Sequence, residues 1–148
     1  MSLFCKVLAM TLMTAVALPA TANAGAPIEA RIVDLPSDDG NVFIMLCTRE
    51  AYEKNIRDCM RAKIAPSGRS ATHVFEDVAP GEYIIQAIHD ANGNGKMDSK
   101  WYGKPKEAYG MSTNPEPRIG RPKFDDGVFQ HGEEMQTFEL VMRGGKRK

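Results

Sequence analysis

The chain has 148 residues, with 19 basic and 19 acidic side chains, three cysteines and one tryptophan. That length accommodates one domain with its own core. The even charge balance leaves no net field for steering onto nucleic acid or an anionic lipid surface.

Residues 1–24 read as a secretory signal peptide. Lys6 is the only charge before Glu29, Val7 to Leu18 is an apolar run, and Ala22-Asn23-Ala24 supplies the small-x-small pattern for cleavage after Ala24. The run is short for a permanent span, so an uncleaved anchor is the weaker alternative. Cys5 lies ahead of the run rather than at the cleavage site, which argues against a lipoprotein. The expected product is exported, periplasmic or extracellular, with no membrane span. Cys47 and Cys59 then remain as an even pair where disulfides persist. A bridge between them is expected, against the alternative of two buried thiols.

The mature chain is predicted to be mostly β. Ile28 to Val33 alternates apolar and polar residues, Pro36 to Gly40 is a turn cluster, and Val42 to Cys47 is a nearly continuous apolar run. The two runs are expected to pair as a hairpin. Thr48 to Lys63 reads as a short helix or crossover capped by Thr48, with Ala51, Tyr52, Ile56 and Met60 at helical spacing. Thr72 to Val78 and Tyr83 to His89 flank the turn Ala79-Pro80-Gly81 and are expected to form a second hairpin. A long Pro/Gly-rich stretch from Lys100 to Asp126 follows, too long for an idle connection. Gly127 to Gln130 and Met135 to Met142 read as closing strands, and 143–148 as a basic disordered tail. The expected fold is a single all-β sandwich over 25–142, immunoglobulin-like or prealbumin-like, with one short helix or crossover and one long irregular loop.

The chemistry-bearing motif is Asp90-Ala91-Asn92-Gly93-Asn94-Gly95-Lys96-Met97-Asp98. Oxygens at the first, third and fifth positions of a calcium loop bind the ion, a backbone carbonyl at the seventh adds another, and the ninth often binds through water. Here those are Asp90, Asn92, Asn94, the Lys96 carbonyl and Asp98, with Gly95 at the sixth position, where the turn is sharp. The twelfth position departs from the pattern: a paired-helix site needs Glu, and this chain has Trp101. Glu107 is the candidate to complete the shell. The alternative is a plain hairpin turn, in which Asn and Asp bond their own backbone.

Other polar residues carry less. His73, His89 and His131 lack the spacing of a zinc site. Ser70 and Ser112 have no Gly-x-Ser-x-Gly context. Asp125 and Asp126 read as a turn. Trp101, Tyr102 and Tyr109 flank the loop, either as a ligand groove or as a small local core.

Phe75-x-x-Val78-x-Pro80-Gly81-x-Tyr83, His89-Asp90-x-Asn92-Gly93-Asn94-Gly95-Lys96-x-Asp98, Gly103-x-Pro105-x-Glu107-x-Tyr109-Gly110-x-Ser112 and Pro122-x-Phe124 together resemble the uncharacterised domain-of-unknown-function family 2141. The resemblance implies a secreted, commonly periplasmic bacterial protein and no established activity. The Pro-Gly-x-Tyr strand and the loop after it are also similar to prealbumin-like and collagen-adhesin B-type sandwich modules, an analogy of fold that does not fix function. The expected role is non-catalytic binding of an envelope or extracellular protein or glycan, with calcium as a structural cofactor. A metal-assisted hydrolase using Glu107 or Asp98 with a histidine is one alternative, and a purely structural envelope protein another.

Overall fold

The computed structural model describes residues 25–96, 106–117 and 120–146. The predicted signal peptide, Asp98, Trp101 and Tyr102 lie outside them. The elements are β1 (Ala26–Val33), β2 (Asn41–Thr48), α1 (Arg49–Lys54), β3 (Met60–Ile64), β4 (Ala71–Val78), β5 (Gly81–Asp90), β6 (Ala108–Met111), β7 (Phe129–His131), β8 (Gln136–Val141) and β9 (Arg143–Gly144). Three strands in the order β4-β1-β8 form one sheet. Six form the other, in the order β3-β2-β5-β6-β9 with β7 beside β5. The chain is thus a two-sheet sandwich with one short helix. Among the described residues, no helix is long and apolar enough to cross a membrane.

Strand alternation builds the core. Ile28, Ala30 and Ile32 of β1 meet Val42, Ile44 and Leu46 of β2, Ile85 and Ala87 of β5 and Leu140 of β8 in one buried cluster. Successive side chains of a strand point to opposite faces. The outer face of the larger sheet therefore receives Cys47, Ile84 and Met111, which pack with Ala51 and Tyr52 of α1 and with Phe124 as a second cluster.

Both expected hairpins are overturned. β1 pairs with β4 antiparallel and with β8 in parallel, whereas β2 pairs with β3 and β5. The connector after β1 explains the first. Asp34 takes a left-handed φ of 63°, and Leu35 is fully buried. Its N–H donates to the Arg69 carbonyl at 3.1 Å, and Arg69 Nε returns a bond to the Leu35 carbonyl at 2.6 Å. The chain thus crosses to the opposite sheet instead of reversing within its own. At the second site the pairing of β1 with β4 slips between Ala26 and Ile28, and Asp77 has φ 52°. This bulge turns both Phe75 and Val78 inward and sends the chain across to β5.

The helical expectation for Thr48 to Lys63 holds only over its first third. Thr48 Oγ1 accepts the Ala51 N–H at 3.2 Å, capping α1. The helix ends at Lys54, a 3-10 turn covers Ile56–Asp58, and Met60–Ile64 becomes the edge strand β3. The two-residue alternation of Arg61 and Lys63, both exposed, with the half-buried Ala62 and Ile64 is the strand signal that the helical spacing of Met60 masked. At the other end, Arg143 and Gly144 pair with Tyr109 and Ala108, so the sheet continues past the expected start of the tail.

The Cys47–Cys59 disulfide is formed, with Cα atoms 4.6 Å apart and the partners 12 positions apart in sequence. It ties α1 to the face that α1 covers. A loop of this size gives about 3 kcal/mol on a chain-entropy account. Cys59→Ser is expected to lose about that much in urea unfolding. Intact mass after alkylation without reductant should show neither Cys47 nor Cys59 labelled; labelling of both would contradict the bridge.

Candidate functional site

The Asn-Gly loop grows directly from the end of β5. Asn41 stands opposite Asp90 on one side. On the other side, His89 stands opposite Ala108, and Glu107 directly precedes that strand. Asp90 is 2% exposed and Glu107 7%, so a buried carboxyl-bearing residue stands at the end of β5 and another just before β6.

The loop closes on its own oxygens. Asp90 Oδ1 accepts the Asn94 N–H at 3.1 Å and Oδ2 accepts the Gly95 N–H at 2.8 Å. Asn92 Oδ1 also accepts from Asn94 N–H, at 3.1 Å, and Asn94 Oδ1 from Lys96 N–H, at 2.8 Å. Gly95 has φ 72°, a left-handed conformation that glycine takes without strain. The first, third and fifth oxygens are thus each anchored to a backbone N–H further along the loop. Both the calcium reading and the plain-turn reading contain these bonds, and each oxygen keeps lone pairs beyond them.

The turn between β1 and β2 braces the base of this loop. His89 Nε2 lies 2.7 Å from the Asp39 carbonyl oxygen. The ring is therefore drawn with its N–H on Nε2, and the buried Nδ1 has no hydrogen-bond partner among the described residues. Gly40 has φ 70°, and a Cβ there would run into the Asp90 carbonyl.

The three histidines do not converge. His73 lies on β4 in the smaller sheet, its ring edge-on to Phe75 with centroids 4.6 Å apart. His131 lies between Gln136 Oε1 at 2.7 Å and the Ala26 carbonyl at 3.1 Å. His89 follows the inner alternation of β5, whereas Asp90 follows the outer one; Asp98, one of the two carboxylates of the hydrolase reading, lies outside the described residues. Among the described residues, no group of three His, Cys, Asp or Glu side chains is placed to hold a metal ion.

The described parts of the long connection are held by hydrogen bonds to the strands and to α1 and by ion pairs of Arg49 and Arg143. Ser112 is fully buried; its Oγ donates to the Gly127 carbonyl at 2.5 Å and accepts the Ile85 N–H at 3.0 Å. Asn114 extends the edge of β8, donating to the Glu139 carbonyl and accepting the Val141 N–H, both at 2.8 Å. Tyr52 Oη donates to the Pro122 carbonyl at 2.7 Å. Phe124–Asp126 is a 3-10 turn, in line with the turn expected at Asp125 and Asp126. Tyr109 is half-buried on β6, while Trp101 and Tyr102 fall outside the described residues.

Sequence reasoning passed over Arg49. Its guanidinium reaches Asp125 at 2.6 Å, Glu53 at 3.4 Å and Glu82 at 3.8 Å and lies 4.4 Å above the Phe124 ring. Only the Arg49/Glu53 spacing of four residues signalled any of this. The Asp125 carboxylate, first among the causes, raises the Arg49 pKa further above its ordinary value.

A family model with the description "uncharacterized protein conserved in bacteria (DUF2141)" matches residues 30–139. No curated protein and no solved structure matches the chain, so the analogy to prealbumin-like modules has no solved counterpart.

Gly40→Ala is expected to destabilise the protein by about 2 kcal/mol or more, from the left-handed backbone and the collision together, read as a lowered urea midpoint. Burial lowers the His73 pKa from 6.5, with Glu76 opposing. Its contribution to stability is therefore present above pH 6.5 and lost as pH falls through the depressed folded value. His73→Gln should flatten the fall in melting temperature below that pH; an unchanged slope would remove His73 as its source.

Proposed function

The chain belongs to the DUF2141 family of bacterial proteins, and from that premise we propose that it is an exported, non-catalytic binding domain whose Asn-Gly loop is ordered by calcium. The observation that carries this reading is the burial of both Asp90 and Glu107, 2% and 7% exposed, the one ending β5 and the other directly before its neighbour β6. Buried carboxylates lose hydration, and two of like charge brought close repel each other. A dication seated between them offsets both costs, and calcium accepts oxygen ligands in the flexible geometry that a loop offers. Asp90, Asn92, Asn94 and the Lys96 carbonyl supply four positions of the shell, Glu107 closes it across the sheet, and Asp98 completes it through water. The readings of exported localisation and of a protein or glycan partner rest on the N-terminal sequence and on the family resemblance.

The order of the domain supports a binding role. The loop follows β5 of the larger sheet, and Phe124 packs on the outer face of that sheet, on a framework fixed by two clusters and a disulfide. Rigid scaffolds that present long connections commonly place recognition there. The segment 100–126 is accordingly the contact surface in this reading.

With affinity in the range of about 10⁻⁴–10⁻³ M usual for extracellular modules, 10 mM calcium (about 10–100 times Kd) should add about 1.4–2.7 kcal/mol. That is a rise of roughly 5 °C in melting temperature over a chelated sample. Glu107→Gln, which keeps the side-chain shape, and Asp90→Ala should each abolish the calcium-dependent part of the melting temperature. An identical melting temperature in calcium and in chelator would refute the site, and a full calcium response in both variants would refute the ligand assignment.

A further inference from the structure

The end of the contact segment folds against α1 around an open cleft of about 350 Å³. Tyr52 and Phe124 form its floor, their ring centroids 6.0 Å apart, and both are buried. Guanidinium groups lie over them: Arg121 is 5.0 Å from the Tyr52 ring centroid and Arg49 is 4.4 Å from that of Phe124. Pro122 fixes the wall, because its carbonyl accepts from the Tyr52 hydroxyl, and Tyr52 Oη in turn accepts from Gln86 Nε2 at 3.0 Å. The cleft is therefore prearranged by α1, β5 and the strap 121–126 together.

The charges on its rim are unevenly committed. The carboxylates Glu53 and Asp125 each hydrogen-bond Arg49. Arg121 donates one bond, to the Tyr52 carbonyl at 3.3 Å, which leaves most of its five N–H donors available. Arg121 and Lys123 are exposed, and neither forms a salt bridge to a carboxylate among the described residues. The surrounding sequence is biased the same way: residues 100–123 hold six basic and two acidic side chains within a chain whose totals are equal. A planar guanidinium stacked on a ring keeps its donor edge free and oriented for a carboxylate or phosphate.

The geometry points to this cleft as a binding site for a small anion bearing a carboxylate or phosphate group, with Arg121 as the oriented fork and Lys123 as the mobile charge. The inference rests on the reading of 100–126 as the contact surface, and it does not require calcium at the Asn-Gly loop. An acidic sugar would present a carboxylate on a ring of suitable size, and a phosphorylated ligand would present the same charge without it.

The test is a heteronuclear NMR titration of the disulfide-bonded protein in chelator with D-glucuronate, inorganic phosphate and D-glucose in separate arms. Saturable shifts confined to amides around Tyr52 and Lys123–Asp125 are expected with at least one anion and not with glucose. Which anion binds more tightly identifies the source of the charge. Lys123→Gln, at an exposed side chain without a salt bridge among the described residues, should weaken binding about tenfold, the loss of one charged hydrogen bond. Arg121→Lys should weaken it while preserving net charge, and the double variant Arg121→Gln/Lys123→Gln should abolish it. Absence of saturable shifts with both anions, or wild-type affinity in Lys123→Gln, would overturn the proposal. Binding that persists in chelator while calcium leaves the melting temperature unmoved would remove the calcium reading and keep this one.

Discussion

The ten-residue strand β5 (Gly81–Asp90) imposes the constraint on which the rest of the molecule depends. Its alternate side chains serve two different interiors. Ile85 and Ala87 enter the core between the sheets, whereas Ile84 enters the cluster under α1. It pairs along its length with β2 and, in separate stretches, with β6 and β7. A slip of one residue would exchange every side chain between these environments. It would also turn Asp90 from the outer face into the apolar core, where a carboxylate has no compensation. Register and site are therefore one requirement.

The outer face of the larger sheet is occupied at its two ends by different means. At one end, apolar contact and a covalent bond hold α1 and the turn at Phe124 over Cys47, Ile84 and Met111. At the other end, Asp90, Glu107 and the loop amides present oxygen atoms. Arg49 works at the first end in a manner no single pair explains, because it lies across the Phe124 ring while bonding two carboxylates. Exposed ion pairs contribute little individually; here the pairs orient a guanidinium that shields an aromatic ring.

Much of this was legible in the chain. The alternation of Ile28, Ala30 and Ile32, the unbroken apolar run Val42 to Cys47 and the spacing of Phe138, Leu140 and Met142 placed strands and the core correctly, because burial on one or both faces leaves a direct trace. The Asp-x-Asn-x-Asn-Gly spacing marked a turn, and its side-chain oxygens accept backbone N–H groups within the loop. What misled were the connections. Pro36–Gly40 and Ala79–Gly81 look like hairpin turns, but the deciding features are the left-handed backbone at Asp34 and Asp77 and the burial of Leu35. Neither has a residue-type signature. Met60–Ile64 was hidden because Met60 stands at helical spacing from Ile56, although Arg61 to Ile64 alternate with period two. Ser112, which has no catalytic context in the sequence, and Asn114, which drew no reading there, are structural, their bonds reaching residues 15 to 27 positions away. Such contacts are invisible to any local pattern.

The parallel pairing of β1 with β8 has a consequence for how the chain acquires its shape. Residues 28–33 lie against residues 136–141, so the middle strand of the smaller sheet lacks one neighbour until nearly the whole polypeptide is present. Contacts of such long sequence separation form slowly, because the intervening chain must be gathered first. The larger sheet, with β2, β3 and β5 close in sequence, is the part that forms early. A chain that emerges from a ribosome in N-to-C order thus leaves its smaller sheet unclosed until β8 arrives and locks β1 into place.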